Sequence, residues 1–272
     1  MDYLSPASLM DEIEAAGTKK VRLRPQVMAL KGFFSGALLA YATALAFKVS
    51  DGFTGGAAAL VAGVVFPVGF AMIVLLGMEL ITGNFAVLPV ALFRGSIDLG
   101  DLGRNWSWVA LGNLMGSLFV SLLLAITMTE MFSQSPGPLG AKFIAVAQSK
   151  THVYAHAGAR GWLTAFTKGL LCNWMVAMGT VLGMCSNSTW GKIAATWLPI
   201  STFFALALEH SVVNLFVIPT AILLGADITF GEWWWWNQIP VTLGNLVGGA
   251  VLTGLLLHWV HPTEPQGVGK VI

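Results

Sequence analysis

Long apolar blocks alternate with short polar stretches along this chain. A bilayer core demands about 20 apolar residues per helix, and the blocks at roughly residues 28–50, 57–93, 106–129, 162–186, 193–224 and 238–260 meet that demand. The pattern predicts an all-α membrane protein with six transmembrane helices. The second and fifth blocks are much longer than one straight crossing, and small or polar residues interrupt each near its middle. Both are therefore predicted to be broken helices, with the freed backbone groups turned toward protein or a conduit rather than lipid.

Ahead of the first block, Ser5 followed by Pro6 marks a helix start. Leu9, Ile13 and Ala16 then fall roughly on one face, predicting a short amphipathic helix on the cytoplasmic surface. The segment lacks the apolar core of a secretory signal and is expected to stay on the mature chain. The expected organisation is an N-terminal amphipathic helix (1–26), a six-helix transmembrane domain (27–261) and a cytoplasmic C-terminal tail (262–272).

Three motifs recur in the same order in the two halves. Glu79…Asn84…Pro89 in the second block matches Glu209…Asn214…Pro219 in the fifth as ExxxxNxxxxP. The third and sixth blocks share LGNLxG, at Leu111–Gly116 and Leu243–Gly248, and the first and fourth open with Lys31-Gly32 and Lys168-Gly169. A unit of three spans forces its second copy into the bilayer upside down. The expected architecture is thus a 3+3 inverted repeat, with a substrate path near the midplane between the two broken helices.

Composition agrees with lipid as solvent: 56% of the residues are hydrophobic and only 10% charged, under half the charged share of a soluble domain. Acids and bases nearly cancel, so nucleic acid is not indicated as a partner. With both termini inside, Lys19, Lys20, Arg22, Arg24, Lys31, Arg94, Arg104, Lys192 and Lys270 lie on the cytoplasmic side. Lys48, Lys142, Lys150, Arg160 and Lys168 lie on the other, so the positive-inside rule favours that orientation in the inner membrane. Cys172 and Cys185 form no CxxC pair or Cys/His cluster, and neither a metal nor another cofactor is expected.

Glu79, Glu209 and His210 are the ionisable residues deep in predicted spans, and such residues cost several kcal/mol to insert. All three sit at the breaks. Glu79, Glu209, Asn84 and Asn214 are read as support for the breaks, accepting or matching freed backbone groups, with proton handling by the two glutamates as the alternative. Thr82 and Gly83 are expected to form the break itself and line a pore. His210 carries the proton that can move near neutral pH. Gly36, Gly112, Gly116, Gly244, Gly248 and Gly249 are expected to let helices approach closely, and Trp233–Trp236 to form an interfacial anchor. Lys142, Lys150, His152, His156, Arg160 and Lys168 make the stretch before the fourth span a basic outward loop, read either as a solvated face or as an anion-attracting vestibule.

GMELITGN (77–84), KGLLCNW (168–174), LEHSVVNLFVIP (208–219) and NQIPVTLGNLVGG (237–249), in this order, resemble the formate/nitrite transporter family over essentially the whole chain. The resemblance implies a homopentamer of aquaporin-like protomers, each with its own pore. It implies that His210 is the central pore histidine with Asn173 and Thr82 as polar neighbours, and that Phe66, Phe70, Leu80 and Phe203 form two hydrophobic constrictions. Lys150 matches the vestibule lysine, with Lys168 as the alternative, and Phe70 stands where the family pattern has leucine.

The expected function is transport of small monovalent weak-acid anions, formate or nitrite, with proton coupling or passage as the neutral acid. The nearest alternative is a passive anion channel. A neutral-solute facilitator lacks support because there is no NPA pair. A haem-bearing oxidoreductase anchor would need facing histidine pairs in the membrane, and His210 is the one deep histidine. Enzymatic activity is not expected.

Overall fold

The computed structural model describes residues 3–261, and all its regular elements are helices. The expected C-terminal tail lies outside the described residues. Helix α1 (Pro6–Val21) leads to α2 (Pro25–Val49), α3 (Gly55–Val65), α4 (Pro67–Leu75), α5 (Ile81–Phe93) and α6 (Leu99–Met128). Then come α7 (Gly137–Ala157), α8 (Ala159–Met184), α9 (Thr189–Ala205) and α10 (Ser211–Leu223). The last stretch, Phe230–Val260, is helical throughout: α11 (Phe230–Trp233), α12 (Ile239–Gly249) and α13 (Leu256–Val260) are joined by π-helical turns at Trp234–Gln238 and Ala250–Leu255.

Five helical stretches are long and apolar enough to cross a bilayer: Pro25–Val49, Gly55–Leu75, Leu99–Met128, Ala159–Met184 and Phe230–Val260. Ile81–Phe93 and Ser211–Leu223 are apolar but too short to cross alone. Each follows a helix that ends on a left-handed residue, Gly77 (φ 62°) after α4 and Ala207 (φ 50°) after α9. That conformation turns the chain out of the helix, and residues 76–80 and 206–210 run outside regular structure. Thr82 and Gly83, expected in such a gap, lie instead in the first turn of α5.

Backbone proximity fixes the frame. Gly32 of α2 faces Val109 and Gly112 of α6, where an added Cβ would come 2.7 Å from the Val109 carbonyl oxygen. Gly116 likewise abuts Phe33. The second half repeats this, with Gly169 of α8 against Val241 of α12 (2.7 Å to its carbonyl oxygen) and Gly244 and Gly248 against Phe166 and Leu170. Small residues at such crossings replace a hydrophobic driving force that lipid does not provide.

Three segments differ from expectation. Helix α1 does not lie free on a bilayer surface. Its buried face is Met10, Ile13, Gly17 and Val21, with Leu9 and Ala16 packed partly buried beside it, and Gly17 packs on Val87 and Ala91 of α5. The basic stretch before the fourth span is no loop: Lys142, Lys150, His152 and His156 lie in helix α7, which buries Gly140, Phe143, Ala147, Thr151 and Tyr154, and Arg160 and Lys168 lie in α8. Of the tryptophan run, Trp233 is buried and donates from Nε1 to Gln238 (3.3 Å), and Trp235 is exposed. Only part of the run is thus available as an anchor.

Candidate functional site

The site is built where α5 and α10 begin. A helix start leaves backbone N–H groups without partners, and here a buried asparagine from a neighbouring helix takes up the first of them. Asn113 Oδ1 accepts from the Ile81 amide (2.9 Å), while its Nδ2 donates to the carbonyl oxygens of Glu79 (3.0 Å) and Gly32 (2.8 Å). Asn245 does the same in the other half: Oδ1 accepts from the Ser211 amide (2.9 Å), and Nδ2 donates to Glu209 (3.0 Å) and Gly169 (2.8 Å). Each asparagine ties three elements to one point.

The expectation that Glu79, Glu209, Asn84 and Asn214 meet the freed amides is corrected in one respect: the first amide of each half-helix, Ile81 and Ser211, is held by Asn113 and Asn245, and the side-chain partners of the four residues are other side chains. The four residues form two side-chain clusters instead. Asn84 Nδ2 donates to Glu79 and Asn105, at 2.8 and 2.9 Å, and Asn214 Nδ2 to Glu209 and Asn237 at the same two distances. Lys20 of α1 reaches Glu79 at 2.9 Å, and Lys150 of α7 reaches Glu209 at 2.7 Å. Both carboxylates are almost wholly buried, their side chains 3% exposed. A buried charge persists only when it is paired and hydrogen-bonded, and each glutamate is both.

The clusters differ in one member. Tyr154 donates its phenol to Glu209 at 2.8 Å. Burial, the negative charge of Glu209 and that hydrogen bond push the phenol well above its ordinary pKa, so Tyr154 remains a donor.

Between the clusters lies a small polar centre. Thr82 Oγ1 and His210 Nε2 are 3.1 Å apart. The Val213 amide donates to His210 Nδ1 (3.2 Å), so the proton of the neutral ring resides on Nε2 and points to Thr82. Asn173 Nδ2 donates to the Thr82 carbonyl (3.0 Å) and the Asn245 carbonyl (2.6 Å), and its buried Oδ1 has no partner among the described residues. Apolar rings crowd this centre: Phe203 stacks on His210 with centroids 5.6 Å apart, and Phe66 meets Phe203 edge-on at 5.6 Å. Phe70 and Leu80 line a cavity of about 270 Å³ that opens beside α1.

The chain thus brings His210, Thr82 and Asn173 into one linked group and sets Phe66 and Phe203 against it. Lys150 does not reach the histidine, being bound to Glu209. Lys20, Asn105, Asn113, Asn237, Asn245 and Tyr154 were not singled out from sequence. Five of them had a signal: an asparagine precedes each LGN motif asparagine by the same spacing, and the offset relating Glu79 to Glu209 carries Lys20 onto Lys150.

Helix α1 is clamped at the mouth of the cavity. Arg94 donates to Asp11 (2.8 Å) and Glu14 (2.7 Å), and Ser96 also donates to Glu14. Burial by itself would raise the Glu14 pKa, but the hydrogen bonds from Ser96 and Arg94 outweigh it and hold that carboxyl below its usual value.

The model of the family described as Formate/nitrite transporter matches residues 7–259. A probable formate transporter of Methanothermobacter thermautotrophicus is 35% identical, over 96% of this chain and 98% of its own. Among solved structures, an FNT family ion channel superposes with a TM-score of 0.83 at 26% identity, covering 94% of this chain and 99% of that one. A pentameric formate channel with formate bound superposes with a TM-score of 0.73 at 27% identity, covering 88% and 98%.

Proposed function

The chain belongs to the formate/nitrite transporter family, and from that premise we propose that it moves small monovalent weak-acid anions, formate first among them and nitrite as the alternative, through a conduit centred on His210. The family is one of membrane channels and transporters rather than enzymes. In the proposed assembly five copies form a homopentamer in the inner membrane, each with its own conduit and both termini in the cytoplasm. The likeness to a pentameric formate channel supports the five-fold assembly.

We read the two halves as inverted copies, with α3–α5 and α9–α10 as broken second and fifth spans of six. The paired hydrogen bonds of Asn113 and Asn245, and of Asn84 and Asn214, support that reading. Glu79, Asn84, Glu209 and Asn214 then hold the two half-helices in place through Lys20 and Lys150.

The observation that carries the mechanism is the Thr82–His210 pair lodged against Phe66 and Phe203. An acid with a pKa near 4 costs about 4 kcal/mol to protonate at pH 7. A bare charge at the centre of a membrane costs about 3 kcal/mol or more, so crossing as the neutral acid competes with crossing as the anion. Lys150, its charge balanced by Glu209, offers the anion an ammonium N–H donor at the outer mouth, the constrictions of Phe66, Phe70, Leu80 and Phe203 strip its water, and desolvation favours the protonated form. His210 Nε2–H and the Thr82 hydroxyl offer it hydrogen bonds at the centre, beside Asn173.

For His210 to relay a proton, Nδ1 must accept one, and the Val213 amide then loses its acceptor. Relay and release of that cap are coupled. The same bond favours the second reading, a passive anion channel in which the ring stays neutral and only donates.

Uptake of labelled formate into proteoliposomes by His210→Asn tests the assignment: loss of anion selectivity and of pH dependence is expected, and wild-type values of both would refute it. Recording current alongside an internal pH dye separates the two readings, since only coupled transport moves protons with the anion.

A further inference from the structure

The cavity beside α1 holds more positive charge than a monovalent cargo requires. Lys19, Lys20, Lys31 and Lys192 line it with Glu79 as their one carboxylate, and Glu79 is already paired with Lys20. Three ammonium groups are left over. Lys31 donates to the Gly77 carbonyl (2.9 Å) and Lys192 to the Gly183 carbonyl (3.2 Å). These bonds aim the two side chains but leave their charge uncompensated, and each ammonium keeps further N–H donors for a ligand. Lys19 makes no hydrogen bond among the described residues.

Cations gathered in a low-dielectric recess raise the local concentration of anions, and the gain grows with the charge of the anion. The recess therefore prefers a polyvalent ion to a monovalent one. Its inner end is formed by Phe70, Ile73 and Leu80, which offer a doubly charged ion nothing in exchange for its water. Such an ion is attracted into the recess and stopped there.

We propose that this recess is a binding site for a polyvalent oxyanion, with inorganic phosphate as the simplest case, held by Lys19, Lys31 and Lys192, and that its occupancy blocks the conduit from the side carrying α1. The block rests on reading the chain as an anion conduit, whereas the binding does not.

In proteoliposomes whose protein orientation is established by sided labelling, formate flux is measured with phosphate, or with chloride at equal ionic strength, added to one face at a time. Phosphate on the α1 side is expected to lower flux several-fold, with no comparable effect of chloride or of phosphate on the opposite side. Isothermal titration of the detergent-solubilised protein with phosphate is expected to give saturable binding. The variant Lys31→Gln/Lys192→Gln should weaken that binding roughly tenfold, the worth of two modest charge contacts, and lose most of the block relative to its own phosphate-free flux. Lys19→Gln breaks no hydrogen bond of the fold and should weaken binding by a smaller factor. Absence of binding heat, equal block by chloride or from both faces, or full block in the double variant would overturn the proposal. Phosphate binding without any formate flux would instead overturn the transport reading and leave the site intact.

Discussion

Leu80 and His210 stand at equivalent positions, each the last residue before a half-helix, with backbone angles of −117°/122° and −109°/119°. The backbone accepts either side chain there, so the imidazole is not required for the turn. His210→Leu is expected to fold, losing the Val213 cap at a cost of about 1 kcal/mol, while the Thr82–His210 pair disappears. Thermal denaturation in detergent should show a modest shift, and formate flux should lose its pH dependence.

Asn113 and Asn245 each satisfy one helix-start amide and two carbonyls in a buried setting. Replacing either by alanine leaves those groups unpaired, costing at least about 1–3 kcal/mol for the amide alone. Asn113→Ala and Asn245→Ala should lower the melting temperature by similar amounts. A large difference between them would contradict the equivalence of the two halves.

Glu209 neutralises Lys150 in a nearly dry setting. Removing one partner of a buried pair costs about 3–5 kcal/mol, whereas replacing both with apolar groups is often neutral. Glu209→Gln should therefore destabilise the protein strongly, and Lys150→Met combined with Glu209→Gln should recover much of the loss while removing the ammonium donor at the outer mouth. Melting curves and formate flux read the two effects separately.

Docking of α1 depends on pH through Glu14. Its carboxyl titrates below the usual range in the folded protein, so the stabilisation is present above the unfolded carboxylate pKa and is lost as pH falls through the lower folded value. Arg94, whose side chain is 6% exposed, then loses a partly buried counter-charge. Hydrogen exchange of the α1 amides, relative to their intrinsic rates, should accelerate only in acid below the usual carboxylate range, and Glu14→Gln should show fast exchange at neutral pH.

Much of this architecture was legible in the sequence because lipid imposes a length rule on apolar blocks, and because ExxxxNxxxxP and LGNLxG recur. His210 and Thr82 stood out as polar groups where polarity is expensive, and the structure joins them. What escaped was tertiary. Helix α7 was hidden by its charges, although Gly140, Phe143, Ala147, Thr151 and Tyr154 recur at helical spacing along one face. The partners of the Ile81 and Ser211 amides could not be read from the broken segments, since Asn113 and Asn245 come from other spans. Lys20 passed as an ordinary juxtamembrane base because its carboxylate lies far along the chain.

The glycine seams leave little freedom for large movement. Where α2 meets α6 and α8 meets α12, main chain lies on main chain, without the pliable side chains that would let one helix slide over its neighbour. Each seam joins helices of the same half, so each half holds together as a unit. Movement inside a half is then confined to small parts: the swing of a phenylalanine ring, the turn of a threonine hydroxyl, or the lifting of α1 from its seat on α5.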